Sequence, residues 1–297
     1  MKFNLHTHTR YSDGSDEPEK YVEEAIRQGF HTLGFSDHSP VPFENNFAIR
    51  EGMLSEYCKA IQDLVNHPPP LLQERGVGGE VLHSESGYEV NILLGLEVDY
   101  IPGLTQSFEF YRKNYPFDYL IGSIHLIRKS SSDNLWFIDG PDIEIYERGL
   151  KEIFGGDITK AVTAYFHQLN EMIITEKPDI IGHLDKIKMY NRGRYFSEDD
   201  EWYISLVDES LQLIRETGCV IEVNTRGMYK KRSEALFPGP EILKKILPLK
   251  IPVTITSDAH KPFELSLLFG ETKKFLKEIG FKNQRLLTLN GWTDIRI

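Results

Sequence analysis

The fold is decided by the stretch Asn4-Leu5-His6-Thr7-His8-Thr9-Arg10-Tyr11-Ser12-Asp13-Gly14, which follows a few mixed, largely apolar residues at the start of the chain. These opening residues predict a short β-strand. Alternate residues of an extended strand point to the same side, so His6 and His8 can direct both imidazoles at one metal ion. Asp13 follows on the next turn. The pattern therefore predicts metal ligands at the end of the first strand.

Length and composition predict an ordinary globular enzyme. The chain has 297 residues, of which 40% are hydrophobic and 27% are charged. We find neither an internal repeat nor a domain boundary, so we expect one domain over residues 1–297. The net charge of −11 argues against nucleic acid as a partner of the surface as a whole.

The same sequence lacks the usual signals for export or membrane insertion. No apolar run approaches the ~20 residues that a membrane span requires, and the first residues lack the apolar centre of a signal peptide. The two cysteines, Cys58 and Cys219, are expected to be reduced and mostly buried. We therefore expect a cytoplasmic protein.

Strand-like and helix-like segments alternate along the chain. Seven short apolar runs predict strands at 2–6, 32–35, 91–98, 119–124, 180–182, 219–223 and 252–256. Amphipathic segments predict helices at 17–28, 53–66, 159–175, 199–217, 239–247 and 265–279. Alternation of this kind predicts an α/β protein with a parallel sheet, closed into a regular or distorted barrel at this length.

Polar side chains that suit metal binding follow nearly every predicted strand. In chain order they are His6 and His8, Asp37 and His38, Glu97 and Asp99, His125, His183 and Asp185, Asn224 and Arg226, and Asp258 and His260. The carboxyl ends of parallel strands share one face of a barrel, so we expect these groups to converge there. The other four histidines, His31, His67, His83 and His167, are expected to be ordinary surface or locally bonded residues.

The types of these side chains indicate divalent metal ions. Imidazole and carboxylate without thiolate suit zinc, iron or manganese, and the residue types do not choose among them. Two or three such ions close together suit hydrolysis of a phosphate ester, because they can activate water and neutralise phosphoryl charge.

Two stretches depart from the regular alternation. Residues 68–87 are rich in proline, glycine and polar side chains, and we expect an exposed insertion there. Residues 128–155 form an unusually long connection after the fourth strand. Long connections of this kind often carry function or are mobile.

A series of motifs now resembles a known family. The motifs are His6-Thr7-His8, Tyr11-Ser12-Asp13-Gly14, Ser36-Asp37-His38, Gly95-Leu96-Glu97, Gly122-Ser123-Ile124-His125, Gly182-His183-Leu184-Asp185 and Ser257-Asp258-Ala259-His260. In this order they resemble the polymerase and histidinol phosphatase (PHP) superfamily, and the length and the segment around Glu97 are most similar to its histidinol-phosphatase branch.

The resemblance implies a distorted (βα)7 TIM-like barrel with a site for three divalent ions at the carboxyl ends of its strands. By position, the first ion would take His6, His8, Glu97 and Asp258; the second would share Glu97 and take His125 and His183; and the third would take Asp13, His38 and His260. Glu97 is a good bridging candidate because a carboxylate has two oxygens. Catalytic roles are expected for Glu97, Asp13, His260 and Arg226.

The resemblance also implies an activity, namely metal-dependent hydrolysis of L-histidinol phosphate to L-histidinol and phosphate in histidine biosynthesis. The alternatives are a phosphoesterase acting on another small phosphate ester or on a nucleotide or nucleic-acid end, and a non-catalytic module that has kept the barrel. A small phosphorylated substrate is thus the expected partner. The group that protonates the leaving alkoxide is left open between an Asp or His near the third ion and a metal-held water.

Candidate substrate contacts follow the strands on the same face. Arg226, after the sixth strand, is the first choice for the substrate phosphate because guanidinium matches phosphate geometry. Lys188 is a second choice, and Arg192 or Arg194 are alternatives. Trp136, Phe137 and Asp139 in the long connection are candidates for the rest of the substrate, although the two aromatic residues can equally well pack that connection onto the barrel. Glu44 and Asn45 are further candidates.

Overall fold

The computed structural model describes residues 1–66, 90–129, 134–288 and 290–297. The strands are β1 (Phe3–Asn4), β2 (Thr32–Phe35), β3 (Asn91–Asp99), β4 (Tyr119–Ser123), β5 (Leu126–Arg128), β6 (Leu135–Phe137), β7 (Ile180–Ile181), β8 (Val220–Asn224), β9 (Val253–Thr256), β10 (Asn283–Thr288) and β11 (Gly291–Arg296). The helices are α1 (Pro18–Arg27), α2 (Leu54–Asn66), α3 (Phe108–Asn114), α4 (Ile143–Phe154), α5 (Ile158–Thr175), α6 (Glu201–Thr217), α7 (Arg226–Tyr229), α8 (Pro240–Leu249) and α9 (Phe269–Ile279). Short 3-10 turns occupy Lys186–Lys188 and Pro262–Glu264.

Seven parallel strands form the centre of the fold, in the order β1, β2, β3, β4, β7, β8, β9. The segments that follow the first and last of them close the sheet: the His8 amide donates to the Ala259 carbonyl at 2.8 Å, and the Ala259 amide donates to the His6 carbonyl at 3.1 Å. The predicted barrel is therefore confirmed. Its distortion is visible in strand lengths that range from two residues in β1 to nine in β3.

A tyrosine from β4 fills the barrel interior. The Tyr119 hydroxyl donates to the Leu5 carbonyl at 2.6 Å, across the barrel from its own strand. A Cβ atom added at Gly34 or Gly95 would lie 2.3 Å from an atom of the Tyr119 side chain. These two positions therefore require glycine, because only a residue without a side chain allows the ring to approach the backbone this closely.

An antiparallel hairpin, β10 and β11, covers the other end of the barrel. Leu286 and Leu287 are buried in an apolar cluster with residues near the starts of the parallel strands, and Trp292 and Ile295 pack against it. The barrel members of this cluster are Phe3, Leu5, Leu93, Tyr119, Ile121, Ile180 and Val220. The hairpin was not predicted from the sequence, and it covers the end of the barrel opposite the carboxyl ends of the strands.

The predicted elements agree with the observed ones to within a few residues. β2 has the predicted bounds, whereas the first strand ends two residues early because the backbone at His6 turns to pair with Ala259. The long connection over residues 128–155 contains structure that was not predicted, in the hairpin β5–β6 and in helix α4. Asp142 caps α4 by accepting from the Ile145 amide at 3.1 Å. Aspartate is a preferred residue at this position, so the start of α4 could have been predicted from the sequence.

The remaining predictions concern the insertion, the four other histidines and membrane insertion. The expected insertion at residues 68–87 lies outside the described residues, as do His67 and His83. His31 lies beside Thr32 at the start of β2 and His167 is exposed on α5, as expected for residues without a site role. Among the helices described, none combines the length and the apolar character needed to cross a membrane.

Candidate metal centre

The predicted ligand residues converge at the carboxyl end of the barrel. We call the following nine side chains the ligand cluster: His6, His8, Asp13, His38, Glu97, His125, His183, Asp258 and His260. For eight of them, all but Asp258, the ring nitrogens and carboxylate oxygens form overlapping groups in which the atoms lie within 4.8 Å of one another. Asp258 adjoins these groups through its Oδ1 contact with His8. Most of the cluster is buried, and Asp13 and His260 lie nearest the solvent, with side chains 31% and 11% exposed.

Glu97 lies at the centre of the ligand cluster. One carboxylate oxygen, Oε2, lies 3.2 Å from His6 Nε2 and 3.4 Å from His8 Nε2. The other, Oε1, lies 3.1 Å from His183 Nε2 and 3.7 Å from His125 Nε2, and accepts a hydrogen bond from the Ser123 hydroxyl at 2.6 Å. The two oxygens thus face two different pairs of histidines, as a bridging ligand would.

A further group lies toward the solvent. His260 Nε2 is 3.1 Å from Asp13 Oδ2, and His38 Nε2 is 3.9 Å from Asp13 Oδ1. The His8 ring packs against this group, with ring centroids 4.2 Å from His260 and 4.6 Å from His38. Asp258 Oδ1 lies 3.3 Å from His8 Nε2 on the inner side.

The donor atoms of the ligand cluster fit a divalent cation. His6 Nε2, both ring nitrogens of His8 and His183 Nδ1 are buried without a hydrogen-bond partner. Buried polar atoms are rarely left unpaired, and a bound cation would satisfy His6 Nε2 and the unprotonated nitrogen of His8. Both thiols, Cys58 and Cys219, are free and outside the cluster. Imidazole and carboxylate donors of this kind suit zinc, iron or manganese.

Burial and neighbouring charges shift the pKa values of several members of the ligand cluster. Burial alone would lower the pKa of His38, but the Glu97 and Asp99 carboxylates beside it raise that pKa to about 10. Burial lowers the pKa of His8 to about 3, and the neighbouring His260 and His38 add to the effect. Burial would raise the pKa of Glu97, yet His6 and His38 hold it well below its usual value. Negative carboxylates and a neutral His8 are the forms that bind cations.

Two buried carboxylates outside the ligand cluster, Glu222 and Asp37, accept hydrogen bonds from the segments that carry its members. Neither was predicted to have this supporting role. Glu222 on β8 accepts from the His6 Nδ1 at 2.8 Å, from the His183 amide at 2.6 Å and from the Thr256 hydroxyl at 2.7 Å. Asp37 accepts from the Thr9 amide at 2.8 Å and from the Ser12 hydroxyl at 2.6 Å, which orders the turn that carries Asp13. The sequence did contain a sign of this role for Glu222, because it is an acidic residue inside an apolar strand.

A cavity of about 260 Å³ opens above the ligand cluster. Three cationic side chains line it together with Asp139 and two phenylalanines. Its lining beyond the cluster comprises Arg226, Lys186, Arg232, Asn46, Phe47, Phe137, Asp139, Gly140 and Pro141. Cations beside a metal-ligand cluster favour an anionic ligand, because its charge would be neutralised from both sides.

Arg226 lies at the cavity, as predicted. It begins α7, and its amide donates to the Asn224 side-chain oxygen at 2.9 Å. One guanidinium nitrogen donates to the Asp258 carbonyl at 2.8 Å. Burial alone would lower the pKa of Arg226, but the Asp258 carboxylate raises it, so the guanidinium stays charged.

The PHP domain family model matches residues 4–226, about three quarters of the chain. The chain belongs to the PHP domain family. The match covers the first eight β-strands together with seven members of the ligand cluster, and Asp258 and His260 lie beyond it.

Members of this family resemble the chain over nearly its whole length. The histidinol-phosphatase of Bacillus subtilis is 25% identical over 274 residues, which span 88% of this chain and 94% of that protein. The crystal structure of a candidate histidinol phosphatase from Listeria monocytogenes has a TM-score of 0.72 at 19% identity, covering 91% and 99% of the two chains. That of histidinol phosphate phosphatase from Lactococcus lactis, in complex with zinc, L-histidinol and phosphate, has a TM-score of 0.63 at 21% identity, covering 96% and 95%. The two structures share the barrel fold.

In this PHP domain, Lys188 does not reach the cavity. Its ammonium is buried and lies 2.7 Å from Asp185 Oδ2 and 3.0 Å from Glu198 Oε2. The 3-10 turn at this point directs Lys186, two residues earlier, into the cavity instead. The prediction of Lys188 as a substrate contact is therefore corrected, because two carboxylates already neutralise its charge.

Arg192 and Arg194 are also absent from the cavity lining. Arg192 donates to the Lys231 carbonyl at 2.9 Å, and Arg194 is exposed. Glu44 and Asn45 are exposed as well, and Asn45 Oδ1 instead accepts from the amides of the turn that follows it. The next two residues, Asn46 and Phe47, are the ones that line the cavity.

Trp136 packs the long connection and does not line the cavity of this PHP domain. Its side chain is buried, and Nε1 donates to the Tyr146 carbonyl of α4 at 3.0 Å. Successive residues of β6 point to opposite sides, so Phe137 faces the cavity and stacks on Phe47 with ring centroids 5.7 Å apart. Trp136 as a substrate contact is thus corrected, and Phe137 and Asp139 keep the predicted position.

Proposed function

We propose that this chain is a metal-dependent phosphomonoesterase that hydrolyses L-histidinol phosphate to L-histidinol and phosphate. The observation that carries the proposal is the ligand cluster, which lies directly beneath a cavity lined by three cations. The family supports it, because relatives that match 88% or more of the chain include the histidinol-phosphatases of Bacillus subtilis and Lactococcus lactis.

We assign three divalent ions to the ligand cluster. His6, His8, Glu97 and Asp258 would hold the first, Glu97, His125 and His183 the second, and Asp13, His38 and His260 the third. Support comes from the oxygens of Glu97, which face two histidine pairs, from the close grouping of the second and third sets and of His6, His8 and Glu97, and from the 3.3 Å contact of Asp258 with His8. Bound ions would supply Lewis-acid activation of water and neutralise charge on the phosphoryl group.

The cations of the cavity would bind and orient the substrate phosphate. Arg226 is fixed by its hydrogen bond to the Asp258 carbonyl, so its free guanidinium edge is pre-oriented over the cluster. Lys186 and Arg232 line the same cavity and would share the phosphate charge. Guanidinium donors suit phosphate oxygens because both present matched planar pairs of contacts.

Asp13 and His260 form the solvent-facing rim of the cluster, with Oδ2 and Nε2 3.1 Å apart. A departing alkoxide requires a proton, and this rim is where the alcohol half of the substrate would leave. We therefore assign this pair the further role of orienting the group that protonates the alkoxide.

Asp139 and the aromatic pair would recognise the rest of the substrate. L-histidinol carries an ammonium group and an imidazole ring. The Oδ1 atom of Asp139 is buried at the cavity and has no hydrogen-bond partner, so it can accept from an ammonium group. Phe47 and Phe137 form a stacked wall on which an imidazole can pack. A carboxylate and an aromatic wall beside a cationic pocket distinguish this phosphate ester from simpler ones.

A substrate panel tests the proposal. The purified protein, loaded with zinc, manganese or iron, would be assayed by phosphate release from L-histidinol phosphate, p-nitrophenyl phosphate, a nucleoside monophosphate and a 3′-phosphorylated oligonucleotide. We expect the highest kcat/KM for L-histidinol phosphate. Equal or faster turnover of any other member of the panel would reject the assigned substrate, and no turnover of any ester by the loaded protein would reject the proposed reaction.

A further inference from the structure

A buried carboxylate at the end of β3, Asp99, has no ligand role in the assignment above. Its side chain is fully buried, and its two oxygens contact two different members of the ligand cluster. Oδ1 lies 2.5 Å from His125 Nδ1, and Oδ2 lies 3.0 Å from His38 Nδ1. A carboxylate only accepts hydrogen bonds, so both Nδ1 atoms carry the proton and donate.

This hydrogen bonding decides which ring nitrogen is left for an ion. With Nδ1 protonated, each ring offers its lone pair only at Nε2. His125 Nε2 lies 3.0 Å from His183 Nε2 and faces Glu97, whereas His38 Nε2 faces Asp13. The two rings held by one carboxylate therefore point into two different ligand groups.

The backbone around Asp99 is rigid. Asp99 is the last residue of β3, where it pairs with Ser123 of β4, and its amide donates to the Ser39 hydroxyl at 3.3 Å.

Glu97 Oε2 also lies 3.2 Å from His38 Nδ1, so it is the competing acceptor for that proton. The inner histidine, His6, has a separate support in Glu222.

We propose that Asp99 is a positioning residue that holds the ligands of two ion sites at once, His125 for the second ion and His38 for the third. The inference rests on the proposed three-ion site. Carboxylates that bond the outer nitrogen of a metal-bound histidine fix its orientation and raise its basicity. One shared carboxylate links the occupancy of the second and third ions, so that both are weakened by a single substitution.

The substitution Asp99→Asn tests this link. The neutral amide deprives both imidazoles of their charged acceptor: its oxygen makes only a weaker, uncharged hydrogen bond to one ring, and its NH2 group opposes the Nδ1–H of the other. We expect the second and third ions to bind about 10- to 100-fold more weakly, with the first unchanged. Zinc content after dialysis against a metal buffer, and titration against a competing chelator, would measure the change.

Glu222→Gln is the matched control, because it makes the same carboxylate-to-amide change at an equally buried position. Its amide oxygen can stay on the His183 amide while its NH2 group opposes His6 Nδ1–H, so it is expected to weaken the first ion instead. If wild-type protein binds three ions and Asp99→Asn binds them with unchanged affinity, or loses only one, the shared role is overturned and the proposed function stands. If wild-type protein binds no ions, both are overturned.

A measurement on the wild-type protein avoids reliance on a variant that fails to fold. In zinc-loaded protein with 15N-labelled histidine, the Nδ1 protons of His38 and His125 are expected as downfield signals protected from exchange. Each signal would be assigned by its loss in His38→Gln or His125→Gln. Zinc on Nδ1 of either ring, or a proton on Nε2, would overturn the proposal.

Discussion

At the scale of single residues, two lysines of one turn differ in whether they reach the cavity. Lys186 lines the cavity, where its ammonium lies 3.2 Å from Asp139 Oδ2, while Lys188 lies outside it between Asp185 and Glu198. Residue type and sequence position do not distinguish the two lysines. What distinguishes them is that the carboxylate beside Lys186 belongs to the cavity, whereas those beside Lys188 do not.

Removal of the Arg226 side chain should weaken substrate binding without removing ions. A hydrogen bond to a charged group contributes about 1.5–3 kcal/mol, so Arg226→Ala is expected to lower kcat/KM for a phosphate ester by about 10- to 100-fold. Steady-state kinetics and zinc content, measured on the same preparation, would check this. Arg194→Ala, which removes an exposed arginine away from the cavity, serves as the control and should retain wild-type kinetics.

Glu97 is expected to matter to two ions at once. The amide of Glu97→Gln presents one oxygen and one NH2 group, so it cannot offer an oxygen to both of the ions that Glu97 is assigned to bridge. We expect loss of at least one bound ion per chain and a fall in turnover of about 100-fold or more. Elemental analysis and phosphate release would measure the two effects. Full ion content together with wild-type turnover would remove Glu97 from the bridging role.

At the scale of secondary-structure elements, short turns after the strands direct the functional side chains. The 3-10 turn Lys186–Lys188 places its first lysine in the cavity and its last in the protein interior. Strand β6 likewise places Phe137 in the cavity and Trp136 in the protein interior, because adjacent residues of a strand face opposite sides. One residue more or less in β6 would exchange the roles of Trp136 and Phe137.

The two lysines of the 3-10 turn should respond differently to alanine. Lys186→Ala is expected to raise KM for a phosphate ester several-fold, and also to lower the midpoint of thermal unfolding because Asp139 loses the ammonium 3.2 Å from its Oδ2. Lys188→Ala leaves Asp185 and Glu198 without their cation, and breaking a buried pair costs about 3–5 kcal/mol, here reduced by the exposure of Glu198. It should therefore destabilise the fold while KM stays near the wild-type value. Kinetics and calorimetry on both variants would show whether the effects separate in this way.

The ligand positions were predictable from the sequence because they follow apolar strands, and parallel strands place their ends at one face. Glu222 was not predictable in this way, since it lies within an apolar run and only the barrel interior brings it to His6. The choice of Lys186 over Lys188 depends on the rotation of a single turn, which periodicity does not specify. The hairpin β10–β11 was missed because its strands follow the last predicted helix and contribute nothing to the parallel barrel.

At the scale of the whole molecule, the ligand cluster connects strands that are distant in sequence. His6 and His260 come from opposite ends of the parallel sheet, and Glu97 lies between them. Ions bound to these residues would add crosslinks between both halves of the barrel. Binding to the native state alone stabilises that state by mass action.

Metal removal should therefore lower both activity and stability. After dialysis against a strong chelator, we expect loss of phosphatase activity and a lower midpoint of thermal unfolding, since ligand at 100 times its Kd contributes about 2.7 kcal/mol. Zinc, manganese or iron should restore both, and magnesium or calcium, which prefer oxygen ligands, should not. Turnover that persists in fully demetallated protein would contradict the proposed role of the ions.

The hairpin at the closed end of the barrel has a practical consequence for handling the molecule. Phe3, near one terminus, is buried in the same apolar cluster against which Ile295, near the other, packs, and the cavity opens at the opposite end. Phe3 and Ile295 thus lie on the side that faces away from the cavity. A molecule tethered to a sensor chip through the segment beside either residue would present its mouth to the flowing solution.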